Sequence, residues 1–137
     1  MPEQEFRELA RQLPDQQWKT SQYLELIRHL DESDEEELLD YLEQRRLQLL
    51  QSLDSYRKNP IMPQEVTAET VAGHRLLEEG IEGWLDGVEL LLEAVSHDGD
   101  CEPALDRIED SNRLLIAVQR LHQRVAAQTA SPRRANS

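Results

Sequence analysis

The sequence predicts an all-α protein: an antiparallel bundle of about five helices, three of them long, that ends in a close-packed C-terminal helical hairpin. Three observations support this class. Leucine, with 22 residues, outnumbers valine and isoleucine together, with 11, and aromatic residues reach only 4%, a composition typical of helices rather than strands. Apolar residues recur at spacings of three and four. No segment alternates between apolar and polar residues over the length of a strand.

Prolines and the Asp98-Gly99 pair divide the chain into five helical segments. Ser33 is the predicted N-cap of the third helix, with Glu36 completing a capping box, and Asp100 is the predicted N-cap of the fifth. The predicted helices span residues 3–12, 15–31, 34–58, 67–97 and 101–128. The helices therefore form one domain over residues 1–128, followed by a tail over residues 129–137 that is predicted to be disordered.

The fourth predicted helix carries four of the five glycines of the chain. Gly73, Gly80, Gly87 and Ala94 fall seven residues apart, so they form a stripe of small residues along one side of that helix. Each glycine costs the helix about 1 kcal/mol relative to alanine, and a closely packed neighbour would compensate for this cost. We expect this neighbour to be the fifth helix; the alternatives are a helix of a second subunit or partner protein, or a ligand.

Acidic residues follow the opposite side of the fourth predicted helix. The predicted acidic ridge consists of Glu79, Glu82, Asp86, Glu89 and Glu93. Residues 63–100 carry ten acidic residues and only one basic residue, Arg75. The ridge is either a solvated face that keeps the protein soluble or a docking surface for a basic partner.

Charge and cysteine content exclude several classes of protein. The 28 acidic and 15 basic residues give a net charge of -13, which argues against binding to nucleic acids and to anionic membranes. Cys101 is the only cysteine, so no intrachain disulfide can form. The N-terminal sequence does not resemble a signal peptide, and no apolar run approaches the length of a membrane span. We therefore expect a cytoplasmic protein, without cofactor or bound metal.

One short motif suggests an enzymatic alternative. The segment Glu78-Glu79-Gly80-Ile81-Glu82 resembles the E-E-x-x-E element with which all-α nucleotide pyrophosphatases hold magnesium. This resemblance implies a metal-dependent hydrolase of nucleotides on a carboxylate-bearing bundle. Such a site also uses a Glu-x-x-Asp pair on a following helix, and residues 90–128 contain no such pair.

A second resemblance concerns the third predicted helix. The run Leu42-Glu43-Gln44-Arg45-Arg46, followed by Leu49, Leu50 and Leu53, is similar to the amphipathic helices of flagellar and type III export chaperones. Members of that class are small, acidic, helical and cytoplasmic. The similarity implies a chaperone-like role and assigns no function to individual residues.

The sequence thus favours a non-enzymatic protein–protein interaction module, which acts as an adaptor, a chaperone-like protein or a regulator. It would bind a protein partner through apolar helical grooves and the acidic ridge. Leu47, Leu50, Leu76 and Leu90 lie off the main apolar seams and would be exposed in a monomer. For this reason we also expect a homodimer.

Overall fold

Six α-helices form the chain in a computed structural model, which describes the backbone of residues 2–58 and 68–135 and the side chains of residues 3–58 and 71–120. The helices are α1 (Pro2–Gln12), α2 (Asp15–Trp18), α3 (Ser21–Glu32), α4 (Glu35–Lys58), α5 (Ala68–Ser96) and α6 (Glu102–Ala135). The described backbone contains no strand. The predicted all-α class and the close-packed C-terminal hairpin are confirmed.

Helix α5 occupies the centre of the bundle. It packs along α6 on one side and along α4 on another, and α1 lies across both α5 and α6. The single-turn helix α2 contacts α6, and α3 contacts α4. This arrangement places the C-terminal hairpin between two layers of N-terminal helices.

The segment 15–31 was predicted as one helix, but the structure divides it into α2 and α3. The backbone carbonyl of Trp18 accepts hydrogen bonds from the Asn112 side chain of α6, at 2.5 Å, and from the Thr20 N–H, at 2.9 Å, so both of its lone pairs are used outside a regular α-helix. Thr20 then caps α3 by accepting a hydrogen bond of 3.4 Å from the backbone N–H of Tyr23. The prediction failed because the partner of Trp18 lies 94 residues away in the sequence.

The predicted N-cap of α4 is also wrong by one residue. Asp34, not Ser33, accepts a hydrogen bond of 2.8 Å from the backbone N–H of Glu37. Ser33 instead ends α3, and its hydroxyl lies 2.9 Å from Nδ1 of His29. Aspartate and serine are comparable N-caps, so the geometry of the α3–α4 corner decides between them.

The turn between α5 and α6 forms at the Asp98-Gly99 pair. Asp98 adopts a left-handed backbone conformation with φ of 56°, and the Gly99 N–H donates a hydrogen bond of 2.7 Å to the carbonyl of Ala94. This pattern is a typical C-terminal cap. Asp100 accepts a hydrogen bond of 3.0 Å from the N–H of Glu102 at the start of α6.

Helix α6 continues to Ala135, beyond residue 128, where the sequence predicted that it fades. The side chains of residues 121–135 lie outside the described part of the chain. The boundary at residue 128 and the disorder of residues 129–137 stay predictions.

The apolar core has two parts. The larger part surrounds Trp18 and Trp84, and the smaller one joins Phe6 of α1 to Leu76 of α5 and Val118 of α6. Leu76 was expected to be exposed, but its exposed fraction is 0%. The expectation was wrong because α1 crosses the hairpin and covers this position, which the periodicity of α5 alone does not reveal.

Candidate functional site

Three glycines of α5, Gly80, Gly83 and Gly87, face α6 at close range. A Cβ atom on Gly80 would lie 2.6 Å from Cδ2 of Leu115, and one on Gly83 would lie 2.9 Å from Cβ of Ser111 and still closer to its hydroxyl. Real Cβ atoms do not approach other atoms to such distances. Because these three positions of α5 carry no side chain, α6 can lie this close to α5.

Gly87 makes the tightest approach to the backbone of α6. A Cβ atom there would lie 3.2 Å from the carbonyl oxygen of Ala104 and 3.1 Å from Cδ1 of Ile108. Of the other two residues of the predicted stripe, Gly73 is buried and Ala94 is half-buried, and Ala94 packs against the Gly99 turn.

Gly83 was not part of the predicted stripe. It lies three residues after Gly80 and four before Gly87, so the three glycines share one helical face. A search for spacings of three and four, rather than seven, would have found it. The role of the stripe as a site for a partner or ligand stays a prediction.

Asn112 of α6 connects the hairpin to the N-terminal segment. Its Oδ1 accepts a hydrogen bond of 3.2 Å from the Trp84 indole, and its Nδ2 donates to the Trp18 carbonyl and, at 3.3 Å, to the Thr20 hydroxyl. Asn112 is only 4% exposed. A buried amide with all of these partners fixes the position of the N-terminal helices on α6.

Arg113, the next residue, also connects α6 to the N-terminal segment. Its Nη1 donates a hydrogen bond of 2.6 Å to the Leu13 carbonyl, and its Nε donates one of 2.9 Å to Glu109. The guanidinium carbon lies 4.9 Å from the centre of the Trp18 ring, a cation–π distance. The guanidinium is thus held on several sides.

Three members of the acidic ridge bind arginines of three different helices. The pairs are Glu79 with Arg7 of α1, Glu82 with Arg57 of α4, and Asp86 with Arg107 of α6. The hydrogen bonds that Arg7 donates to Glu79 and Glu3 raise the pKa of Arg7. Ion pairs this exposed contribute little free energy, but they show that this part of the ridge is already neutralised within the chain. The sequence could not show these partners, because their pairing depends on the angles between helices.

The other two members, Glu89 and Glu93, are exposed on α5. The pKa of Arg46 on α4 is raised mainly by its hydrogen bond with Glu43 and, more weakly, by the negative charge of Glu89. Arg46 of α4 therefore lies on the side of α4 that borders Glu89.

Three large apolar side chains are exposed on α4 and α5. Leu47 and Leu50 of α4 are 48% and 38% exposed, and Leu90 of α5 is 44% exposed. Leu90 lines a shallow groove of about 350 Å³ together with Asp86, Glu89 and Glu93 of α5 and Arg107 of α6. We use the name leucine–acid surface for the set of Leu47, Leu50, Glu89, Leu90 and Glu93.

The described part of the chain contains neither a metal-binding cluster nor a membrane-spanning helix. Among the described residues, no group of three or more histidine, cysteine, aspartate or glutamate side chains is arranged to hold a metal ion. Over the same part of the chain, no helix combines the length and apolar character needed to cross a bilayer.

Comparison of the chain with protein-family models, with curated proteins and with solved structures yields no significant match.

Proposed function

We propose that this protein is a non-enzymatic protein–protein interaction module that binds its partner through the leucine–acid surface. Its role would be that of an adaptor, a chaperone-like protein or a regulator. The cytoplasmic location and the absence of nucleic-acid and membrane binding stay predictions from the sequence.

The observation that carries the proposal is the exposure of Leu47 and Leu50 on α4 and of Leu90 on α5, where Leu90 shares a groove with Glu89 and Glu93. Leu47 and Leu50 lie one and four residues after Arg46, and the negative charge of Glu89 contributes to the raised pKa of Arg46. Apolar side chains gathered with a polar rim are typical of interaction sites.

The occupant that fits this surface best is a basic amphipathic helix of another protein. Its apolar residues, three and four positions apart, would cover the leucines. Its lysines or arginines would lie near Glu89 and Glu93, which form no ion pair with the side chains that the structure describes, whereas Glu79, Glu82 and Asp86 do. Opposite charges of this kind favour encounter and orientation.

A homodimer through the same leucines is the alternative occupant. A two-fold contact pairs a surface with a copy of itself, so it would bring two sets of the same carboxylates together. This repulsion favours a basic partner over a second copy.

The geometry gives less support to the alternative of a metal-dependent nucleotide hydrolase. Glu79 is bound to Arg7 of α1 and Glu82 to Arg57 of α4, so these two carboxylates turn toward different helices. A shared magnesium would require both to leave their arginines. Magnesium-dependent turnover of nucleotides that is lost in a Glu79→Gln, Glu82→Gln variant would instead support the hydrolase.

A peptide-binding measurement tests the proposal. The probe is a labelled amphipathic peptide with lysines on its polar face, followed by fluorescence anisotropy with the full chain. We expect a Leu47→Ser, Leu50→Ser variant to bind at least about ten-fold more weakly, since burial of each leucine is worth about 1.5 kcal/mol or more. A Glu89→Gln, Glu93→Gln variant should bind the peptide more weakly than the parent protein at low salt. At high salt, most of this difference in affinity should disappear, because salt screens the charges.

The matched control is Val71→Ser, which removes an exposed apolar side chain of α5 about 28 Å along the helix from Leu90. It should leave the affinity unchanged. Equal binding by all variants, or equal binding of a glutamate-bearing peptide of the same apolar pattern, would contradict the proposal. Light scattering at high protein concentration tests whether the chain forms a homodimer. If the parent is a dimer, the leucine variant is a monomer and the peptide does not bind, the occupant of this surface is a second copy of the chain rather than a basic partner.

A further inference from the structure

A cleft of about 560 Å³ lies between α1 and α6, and four arginines line it. Its charged lining consists of Arg7 and Arg11 of α1, Glu79 of α5, and Arg107, Asp110 and Arg113 of α6. Each of the four arginines also forms an ion pair: Arg7 with Glu3 and Glu79, Arg11 with Glu8, Arg107 with Asp86, and Arg113 with Asp15 and Glu109. The buried side chains of Ala10 and Leu114 form an apolar part of the wall.

Two of these arginines are held firmly by the protein. Arg7 contacts Glu3 and Glu79 at 3.0 Å. Arg113 donates to the Leu13 carbonyl and to Glu109, as described above. These two guanidinium groups supply fixed charge to the cleft and have few donors left for a ligand.

The other two arginines have donors to spare. Among the described side chains, Arg11 pairs with Glu8 of its own helix at 3.4 Å, and Arg107 pairs with Asp86 at 3.3 Å. A guanidinium has five N–H donors in a planar fork. Both residues are exposed, so their pairs with carboxylates exchange easily with another anion.

We propose that this cleft binds a compact small-molecule polyanion with a phosphate or carboxylate group at each end, held by Arg11 and Arg107. Guanidinium forks bind both kinds of group in a bidentate manner. The cleft volume falls in the range of small-molecule sites, about 300–1,000 Å³.

This inference does not rest on the leucine–acid surface, although Arg107 also lines the groove that contains Leu90, and it is tested by binding of small probes to the full chain. Calorimetry would use inorganic pyrophosphate and citrate as separate probes, which distinguishes phosphate from carboxylate ligands. We expect an Arg11→Gln, Arg107→Gln variant to bind the preferred probe at least about ten-fold more weakly, because charge-assisted hydrogen bonds are lost. The control variant, Arg28→Gln with Lys58→Gln, changes net charge equally outside the cleft and should change affinity less than about three-fold.

A second pair of variants uses the carboxylate inside the cleft. Glu79→Gln releases Arg7 and removes a negative charge from the lining, so it should tighten binding by about three-fold or more. Glu93→Gln removes the same charge from a site outside the cleft lining and should have much less effect. Urea unfolding of each variant confirms that it is folded at the temperature of the measurement.

The proposal would be overturned if neither probe bound at concentrations up to about 10 mM, which corresponds to an affinity too weak to be useful. It would also be overturned if the cleft variant and its charge-matched control weakened binding equally. A third contrary outcome is binding of an oligoglutamate peptide when neither probe binds. The last outcome would replace the small molecule by an acidic protein segment.

Discussion

Gly87→Ala places a methyl group at the closest approach of α5 to the backbone of α6. The new Cβ would lie 3.2 Å from the Ala104 carbonyl oxygen and 3.1 Å from Cδ1 of Ile108, and closer still to Cγ1 of Ile108. Ile108 is wholly buried and branched at Cβ, so it has few other conformations. The two helices must therefore move apart.

The magnitude follows from two opposing effects. Alanine is a better helix former than glycine by about 1 kcal/mol, which stabilises the variant. Overpacking of a core contact costs about 1–3 kcal/mol, and the upper part of this range applies because a backbone oxygen and a rigid side chain are both too close. We expect Gly87→Ala to lower the free energy of unfolding by about 1–2 kcal/mol.

The assay is urea unfolding followed by tryptophan fluorescence, because Trp18 and Trp84 are both buried. Two alanine substitutions serve as matched controls. At Gly80 the Cβ would lie 2.6 Å from Cδ2 and 2.7 Å from Cγ of the half-buried Leu115 side chain, which has more room to move than the wholly buried Ile108, so the loss of stability should be smaller than at Gly87. At Gly99 the contacts of 3.6–3.9 Å are ordinary and no loss is expected.

A double-mutant cycle identifies the cause. Ile108→Ala removes the Cγ1 atom and costs stability by itself, but in the Gly87→Ala background it should cost at least about 1 kcal/mol less. A Gly87→Ala protein that is as stable as the parent, or more stable, would refute the close approach of α5 and α6. Independent, additive effects of the two substitutions would refute the assignment of the clash to Ile108.

The other predictions concern buried and titrating groups. Asn112→Ala should cost about 2–4 kcal/mol in urea unfolding, because it leaves the buried Trp84 N–H without its acceptor. Leu76→Ala should cost about 2–5 kcal/mol in the same assay, whereas Leu90→Ala should stay within about 0.5 kcal/mol. Hydrogen bonding by Trp18 lowers the pKa of Asp15, so the ionised carboxylate stabilises the fold above the unfolded-state pKa of about 3.9. The stability difference between the parent and Asp15→Asn should therefore be present at pH 7 and shrink as the pH falls through the lowered pKa; a difference that grows on acidification would contradict the assignment.

Features that depend on neighbours within four residues followed from the sequence. The predicted helix over residues 67–97 corresponds to α5 (Ala68–Ser96), and the Asp98-Gly99 pair forms the predicted turn. The excess of leucine and the periodicity of three and four are local properties, so they were sufficient for the fold class.

The composition of the candidate sites needed the tertiary structure. The five residues of the acidic ridge were identified from α5 alone, but the structure divides them into three that bind arginines and two, Glu89 and Glu93, that form no ion pair with the described side chains. The arginine cleft was missed for the same reason. Arg7 and Arg11 lie one turn apart on α1, which is a visible signal, but the sequence gives no indication that α6 brings Arg107 and Arg113 beside them.

By itself, the sequence determined the helical class, the hairpin turn and the need of the glycine-bearing helix for a close neighbour. Only the tertiary structure decided that Leu76 is buried, that the chain breaks after Trp18, and which carboxylates keep their charge exposed. The physical reason is distance along the chain. Helix propensity and capping act over one turn, whereas burial and ion pairing between helices depend on how rigid helices cross, which is fixed by the packing of all of them together.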